Sequence, residues 1–324
     1  MIELDHINKT FRVARRNAGL GEAAKALFRR EYTLVHALKD VSFKIGDGEM
    51  VGYIGPNGAG KSSTIKVMSG ILTPDSGSCV INGRTPWKER KAHVREIGVV
   101  FGQRSQLWWD VPVIDSFELL RDIYGVDNAV YKRNLEEMTE LLSLSELLRT
   151  PTRQLSLGQR MRCELAASLL HSPRILFLDE PTIGLDAVSK VAVREFIHRI
   201  NRERKTTVIL TTHDMQDIEA LAERILLIGH GRILLDGSFE DIQKRHSRIK
   251  RITVEYASGS FDTVPGLTRQ GGEAGRAEFV VDTQVLPVSE AIAQLTKQAS
   301  VTDLSIAGAT AEEIVLSLYE EYQI

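Results

Sequence analysis

Between Gly55 and Ser62 the chain reads Gly55-Pro56-Asn57-Gly58-Ala59-Gly60-Lys61-Ser62. Glycines at this spacing let backbone N–H groups turn inward around phosphate oxygens. The run follows an apolar strand-like stretch and precedes a helical one, so a helix starting near Lys61 adds its positive N-terminal dipole. In that setting residues 55–60 form the cradle, Lys61 reaches the β- and γ-phosphates, Ser62 ligates Mg2+ and Ser63 completes the phosphate-binding run. A glycine-rich turn that merely contains a lysine would not sit between a strand and a helix. A second reactive pair closes the apolar run Ile175-Leu176-Phe177-Leu178 as Asp179-Glu180. Asp179 is suited to hold the magnesium ion through its water shell, and Glu180 to accept a proton from an attacking water. A strand ending in two solvated acids is common by itself and gains meaning from the phosphate loop upstream.

Both motifs need a sheet to hold them. From Met50 the chain alternates apolar runs (50–54, 97–101, 175–178, 207–211, 224–228) with helical segments, the pattern of an α/β fold with a mostly parallel sheet, whose strand C-termini carry ligands. Residues 111–172 interrupt that rhythm with helical patterns only, which predicts a helical subdomain over about 104–172. Upstream, residues 1–11 and 37–54 alternate as strands in an antiparallel start, with the turn Gly46-Asp47-Gly48 between two of them. Between these strands, a basic stretch over about 12–32 carries Leu20, Ala24, Leu27 and Phe28 at helical spacing beside Lys25, Arg29 and Arg30, and reads as an insertion. It is either an amphipathic helix that lies on acidic lipid or a membrane protein, or a loop packed on the main domain.

A cassette of residues 1–238 and a small β/α domain of residues 239–324 account for the length of 324 residues. In the latter the pattern runs strand (252–256), strand (277–281), helix (288–297), strand (301–306), helix (311–322), and Thr310 with Glu313 forms a capping box for the last helix. Hydrophobic residues at 43% and charged residues at 26% exclude a disordered or fibrous chain. The net charge of −2 provides no basic footprint for nucleic acid. The two cysteines, Cys79 and Cys163, lack metal-ligand spacing and read as reduced core thiols, which suits the cytoplasm. No run of some eighteen apolar residues suggests a membrane span.

The segment Leu155-Ser156-Leu157-Gly158-Gln159 narrows the field. Here residues 1 to about 238 resemble the ATP-binding cassette superfamily, whose signature Leu-Ser-Gly-Gly-Gln precedes a helix ahead of the magnesium-binding strand. Leu157 stands where the family has its first glycine. The resemblance implies that Ser156 and Gly158, with Gln159 beside them, meet the γ-phosphate held by a second subunit, rather than only capping a helix. It further implies that Gln103 is the glutamine that senses Mg2+ and γ-phosphate, that Asp186 in Gly184-Leu185-Asp186 crosses to the partner, and that His213 contacts the γ-phosphate and orients Glu180. The resemblance also implies an aromatic that stacks on adenine, which points to Phe11, with Tyr32 as the alternative.

What the resemblance implies for function is an ATPase binding ATP and Mg2+, paired with a second copy and with integral membrane permease subunits at the cytoplasmic face of the cell membrane. The stretch from Leu155 to Pro181 looks like the ATPases of the ABC-2 export group, and Val100 to Asp110 is similar to those grouped with viologen- and daunorubicin-type drug exporters. Polysaccharide or lipid exporters, some with a comparable insertion, are the alternative. A non-transport cassette of translation or DNA repair is a further one, though no long coiled coil, zinc cysteines or second cassette is present. Trp108 and Trp109 either pack in the helical subdomain or face the segment that receives the membrane protein.

Overall fold

The computed structural model describes residues 1–14, 32–102, 104–246, 249–308 and 310–324. The chain divides into two compact units, Met1–Asp236 and Gly237–Gln323.

The first unit opens with β1 (Ile2–Ala14), β2 (Tyr32–Ile45), β3 (Met50–Ile54), α1 (Lys61–Met68), β4 (Ser76–Ile81), α2 (Arg90–Val94) and β5 (Ile97–Phe101). A helical block follows with α3 (Val113–Tyr124), α4 (Asn128–Leu141) and α5 (Leu157–Leu169). It closes with β6 (Ile175–Asp179), α6 (Ala187–Arg204), β7 (Thr207–Thr211), α7 (Met215–Leu221), β8 (Arg224–Gly229) and β9 (Arg232–Ser238). The larger sheet has the order β5-β6-β7-β3-β8-β9, and its pairs from β5 to β8 are parallel. The smaller, β2-β1-β4, is antiparallel.

Strand β6 shows why the parallel sheet reads as continuous apolar runs. Ile175 and Phe177 enter a core shared with the antiparallel sheet and α1. Leu176 and Leu178 enter a second core built with α3 to α6. A strand covered on both faces cannot alternate polar with apolar residues.

The basic stretch predicted as an insertion is shorter than its sequence suggested. Its ends belong to the ribbon: β1 continues to Ala14 and β2 starts at Tyr32, with Arg12 opposite Leu34, Val13 opposite Thr33 and Ala14 opposite Tyr32. Thr33, Leu34 and Val35 favour extended backbone, and pairing outweighs the charge pattern. The apolar stripe proposed at Leu20, Ala24, Leu27 and Phe28 lies outside the described residues. Strand β4 was not read from sequence, because Ser76-Gly77-Ser78 looks like a turn until Leu4 supplies Cys79 with a partner. Cys79 and Cys163 are free and buried, and burial pushes both thiols up to about 12.

The second unit contains α8 (Phe239–His246), β10 (Ile249–Gly259), β11 (Leu267–Gly271), β12 (Arg276–Asp282), α9 (Val288–Gln298), β13 (Ala299–Gly308) and α10 (Ala311–Glu321). Its sheet order is β11-β12-β10-β13, antiparallel throughout. Ala291 and Leu295 of α9 join Ile252, Val254 and Phe279 in its core. Thr310 and Glu313 form the expected capping box, and Glu313 also pairs with Arg251.

In the first unit, His171 ties the helical block to the sheet. Its ring stacks on Tyr124 at 4.0 Å and its Nε2 bonds to the Ile97 carbonyl at 2.9 Å. Nδ1 is buried without a hydrogen-bond partner, so a second ring proton would be buried unpaired, and burial pulls the imidazole down from 6.5 to about 4. The unfolded chain therefore binds the proton more readily between these values, and stability falls as pH drops through that window. Thermal or denaturant unfolding is expected to show a loss of about 2–3 kcal/mol from pH 7 to pH 4 that His171→Gln largely removes. An equal loss in both proteins would assign the pH response elsewhere.

Candidate functional site

Parallel register sets the site. Phe101 lies opposite Asp179, Asp179 opposite Thr211, and Thr211 opposite Tyr53, so four adjacent strands end in one row. Each is followed by a connecting segment: Gly102 after β5, Glu180 after β6, Thr212 and His213 after β7, and the Gly55–Gly60 loop after β3. This is the strand C-terminal edge where α/β sheets gather ligands.

The phosphate loop is held from below. Tyr53, fully buried in β3, donates from its hydroxyl to Thr64 Oγ1 at 3.0 Å, and Thr64 donates in turn to the Gly60 carbonyl at 3.1 Å. Gly60 caps α1 at φ 119°, a backbone conformation that a side chain would strain. A Cβ there would also meet the Ala37 carbonyl at 2.7 Å. The first N–H groups of α1 have no partners within the helix. Lys61, itself mostly buried, folds its ammonium onto the Gly55 and Pro56 carbonyls at 2.6 and 3.1 Å. Burial pulls its pKa down, while the carboxylates of Glu180 and Asp179 push it back up.

Across from the loop, Ser62 Oγ donates to Asp179 Oδ1 at 3.3 Å, and Thr211 Oγ1 donates to the same oxygen at 2.5 Å. The Glu180 N–H donates to the Thr211 carbonyl at 2.9 Å. Glu180 has φ 56°, a left-handed conformation that costs energy for a residue with a side chain. The turn aims its carboxylate at His213, with Nδ1 to Oε1 at 3.5 Å. A hydroxyl and a carboxylate oxygen this close make a hard donor set of the kind magnesium prefers.

Thus Gly55–Gly60, Lys61, Ser62, Asp179, Glu180 and His213 converge at one edge. Ser63, one residue further along α1, is half-buried. Gln103 lies outside the described residues. Phe11 is 37% exposed, pairs with Val35 and has the Lys9 ammonium 5.9 Å from its ring centre. Tyr32, three positions from Val35 along β2, projects from the opposite face of the ribbon, since side chains alternate. The two aromatics therefore serve different faces.

The signature residues stand apart from this group. Ser156 caps α5: its hydroxyl accepts from the Gln159 N–H at 3.2 Å, and the Gln159 side chain accepts from the Ser156 N–H at 2.9 Å. The reading that Ser156 is no ordinary helix cap is corrected to this extent: it does make a capping box. The hydroxyl proton remains available for an anion. Among the described residues the Ser156 hydroxyl bonds to nothing in the phosphate loop. Asp186 caps α6 through the Ser189 N–H and hydroxyl at 2.9 and 2.7 Å, and these bonds hold its carboxyl below the usual range. Leu157 packs against the core containing Leu185, which accounts for a large side chain at that position.

Sequence reasoning passed over Thr211 and the support beneath His213. Asp217, wholly buried, accepts from Thr182, from Thr212 at 3.0 Å and from Arg194 at 2.6 Å, joining the turns after β6 and β7. The signal was present as hydroxyl residues at strand ends, Thr211-Thr212 and Thr182, beside a carboxylate in an otherwise apolar helix face. A cavity of about 580 Å³ lined by Asn134, Arg174, Arg204 and Thr207 lies at the other end of β6 and β7 and contains none of the site residues.

The family described as ABC transporter matches residues 38–183. The ABC transporter ATP-binding protein NatA of Bacillus subtilis is 30% identical over 66% of this chain and 87% of its own length. The linearmycin resistance ATP-binding protein LnrL of Bacillus subtilis is 32% identical over 67% of this chain and 69% of its own. The methionine import ATP-binding protein MetN 2 of Enterococcus faecalis is 33% identical over 76% of this chain and 67% of its own. Among solved structures, a dimeric post-hydrolysis state of the ATP-binding cassette MJ0796 bound to ADP and Pi aligns with TM-score 0.61 at 25% identity, over 74% of this chain and 98% of that one.

Close packing around the signature is testable by stability. A Cβ on Gly158 would stand 2.6 Å from the Ser189 hydroxyl that helps cap α6. Gly158→Ala is expected to lower the unfolding free energy by about 1–2 kcal/mol, and adding Ser189→Gly should recover part of it. Unchanged stability in the single variant would mean that Ser189 swings aside freely.

Proposed function

The chain belongs to the ABC transporter family as an ATP-binding, ATP-hydrolysing cassette, and on that premise we propose that it powers export through a separate membrane permease. The observation that carries the ATPase part of this reading is the split just described: the phosphate loop, carboxylates and histidine share one edge, while the Ser156 end of α5 makes no bond to them. Each chain then supplies half of two sites. Two copies close head to tail, and each ATP lies between the phosphate loop of one and Ser156, Gly158 and Gln159 of the other. Asp186 lies at the crossing between the copies.

Within a site, Lys61 leaves the Gly55 and Pro56 carbonyls for the β- and γ-phosphates, and Phe11 stacks on adenine. Ser62, Asp179 and Gln103 would hold Mg2+, which would neutralise phosphate charge. Glu180 takes a proton from the water that attacks the γ-phosphorus, the bond to the leaving ADP oxygen breaks, and phosphate departs. His213 orients the Glu180 carboxylate and contacts the γ-phosphate. Closure of the pair moves the permease, and hydrolysis reopens it. No helix among the described residues is long and apolar enough to cross a membrane; the place beside a permease at the cytoplasmic face follows from the proposed export role.

Support for export comes from the likeness to the linearmycin resistance protein and from the stretch Val100 to Asp110. Drug-like or other amphipathic cargo fits that branch. Import is the second reading, favoured by the likeness to the methionine import protein. Reconstitution with the co-purifying permease, with uptake and release of candidate cargo followed in vesicles, separates the two.

Two experiments address the ATPase cycle. Glu180→Gln should reduce turnover by roughly 10²–10⁴ while ATP still binds and holds the chain as a dimer on gel filtration. Near-normal turnover would remove Glu180 from the proton-accepting role. Mixing Ser156→Arg with Lys61→Ala subunits yields heterodimers with one intact and one doubly damaged site. Recovery of ATPase activity that neither pure variant shows is expected, and heterodimers without activity would reject independent shared sites.

A further inference from the structure

Glu164 lies in α5, 4% exposed, and among the described residues it has no ion-pair partner. A buried carboxylate without a cation is costly unless hydrogen bonds satisfy it, and an apolar residue would pack more favourably at this depth. Its acceptors all face one loop. Oε1 accepts from the Ser105 hydroxyl, and the Gln106 N–H lies 3.2 Å from both Oε1 and Oε2. The Gln106 side chain then donates to the Glu164 carbonyl at 3.1 Å. Burial pushes the carboxyl pKa up, and the donors of Ser105, Gln106 and Leu107 draw it back.

The gripped loop starts beside the site, since Phe101 of β5 is opposite Asp179. It ends at Trp108 and Trp109, which are 45% and 53% exposed. A second contact fastens that end, where the Arg160 guanidinium lies 6.0 Å from the Trp109 ring centre. Ser156, Arg160 and Glu164 are successive members of one i, i+4 row and share a face of the helix. The residue that caps α5 and the two that hold the loop therefore stand in line.

We propose that Glu164 and Arg160 are positioning residues that fasten the loop bearing Trp108 and Trp109 to α5, so that this exposed pair moves as one body with the Ser156 end of the helix. The functional consequence rests on the reading that Ser156 engages nucleotide held by a second copy. Under it, docking of that helix end on ATP shifts the exposed Trp108 and Trp109 together with the helix. The loop contacts themselves do not depend on it.

The test uses the full chain with Trp87→Phe, which leaves Trp108 and Trp109 as the remaining tryptophans of three. Hydrogen exchange of residues 104–110 and acrylamide quenching are measured with and without Mg2+ and ATP. Glu164→Leu keeps the volume but removes the acceptors, and loop exchange should quicken about tenfold or more. The ATP-linked change in quenching should fall to less than half, while ATP affinity stays within about twofold because the phosphate loop is untouched. Glu164→Gln should restore both signals, since its amide oxygen can accept from Gln106 and its NH2 can donate to a reversed Ser105 hydroxyl. If the Leu variant fails to fold, Ser105→Ala, on the exposed side of the contact, should show the faster exchange.

Native loop protection in Glu164→Leu, or in Ser105→Ala where that variant carries the test, overturns the proposal. So does equal loss in the Leu and Gln variants in step with melting temperature, which is the pattern of a purely structural residue. An unchanged tryptophan signal in Trp87→Phe protein that does bind ATP rejects the link to nucleotide. A chain that binds no ATP would instead sink the ATPase reading, and loop exchange would still decide whether Glu164 holds the loop.

Discussion

Strands β6 and β7 run parallel with Asp179 opposite Thr211, and the Thr211 hydroxyl donates to Asp179 Oδ1 at 2.5 Å. A slip of one residue in this register would turn Asp179 toward the opposite face and bring an apolar side chain to its place. The same register carries Phe101 and Tyr53 to the row, so the loops that follow β5 and β3 arrive at the same height. What fixes it is burial on both sides: Phe177 and Ile209 point into one core, Leu176, Leu178, Val208 and Leu210 into the other. Alternatives to that pairing would expose or strand these side chains, each worth about 1.5–3 kcal/mol when buried.

Backbone positions of positive φ stand at the site. Glu180 adopts a left-handed backbone immediately after the strand ends, and Gly60 does so where α1 begins. Both positions are over-determined by neighbours: Thr211 receives the Glu180 N–H, while Tyr53 and Thr64 secure the Gly60 carbonyl. Beneath them, buried Asp217 joins the turns after β6 and β7 through three donors. The Gly60 loop and the Glu180 turn are thus held by a hydrophobic sheet and a hydroxyl network rather than by each other.

The helical block departs from this plan. It touches the sheet through an apolar layer, through the stack of His171 on Tyr124, and through bonds from Glu164 to the loop after β5. Buried polar groups placed at such joints favour one arrangement over alternatives that would leave them unpaired. A block joined this way can carry Ser156 at one end and the exposed tryptophans beside it while the sheet keeps its own register.

The amino-acid sequence by itself determined the fold class, the core strands and the local machinery of each turn, because these depend on short-range spacing: the glycines of residues 55–60, the acids closing an apolar run, the Thr310–Glu313 cap. It did not determine where the antiparallel ribbon ends, since the pairing of Ala14 with Tyr32 and of Leu4 with Cys79 joins residues far apart in the chain. Nor could it show that Phe11 and Tyr32 face opposite sides, which follows only from their cross-strand partners. Thr211, Asp217 and Glu164 were invisible for the same reason. A threonine or a lone acid has no periodic signature, and its role exists only when the tertiary structure buries it beside a donor or acceptor that the chain reaches dozens of residues away.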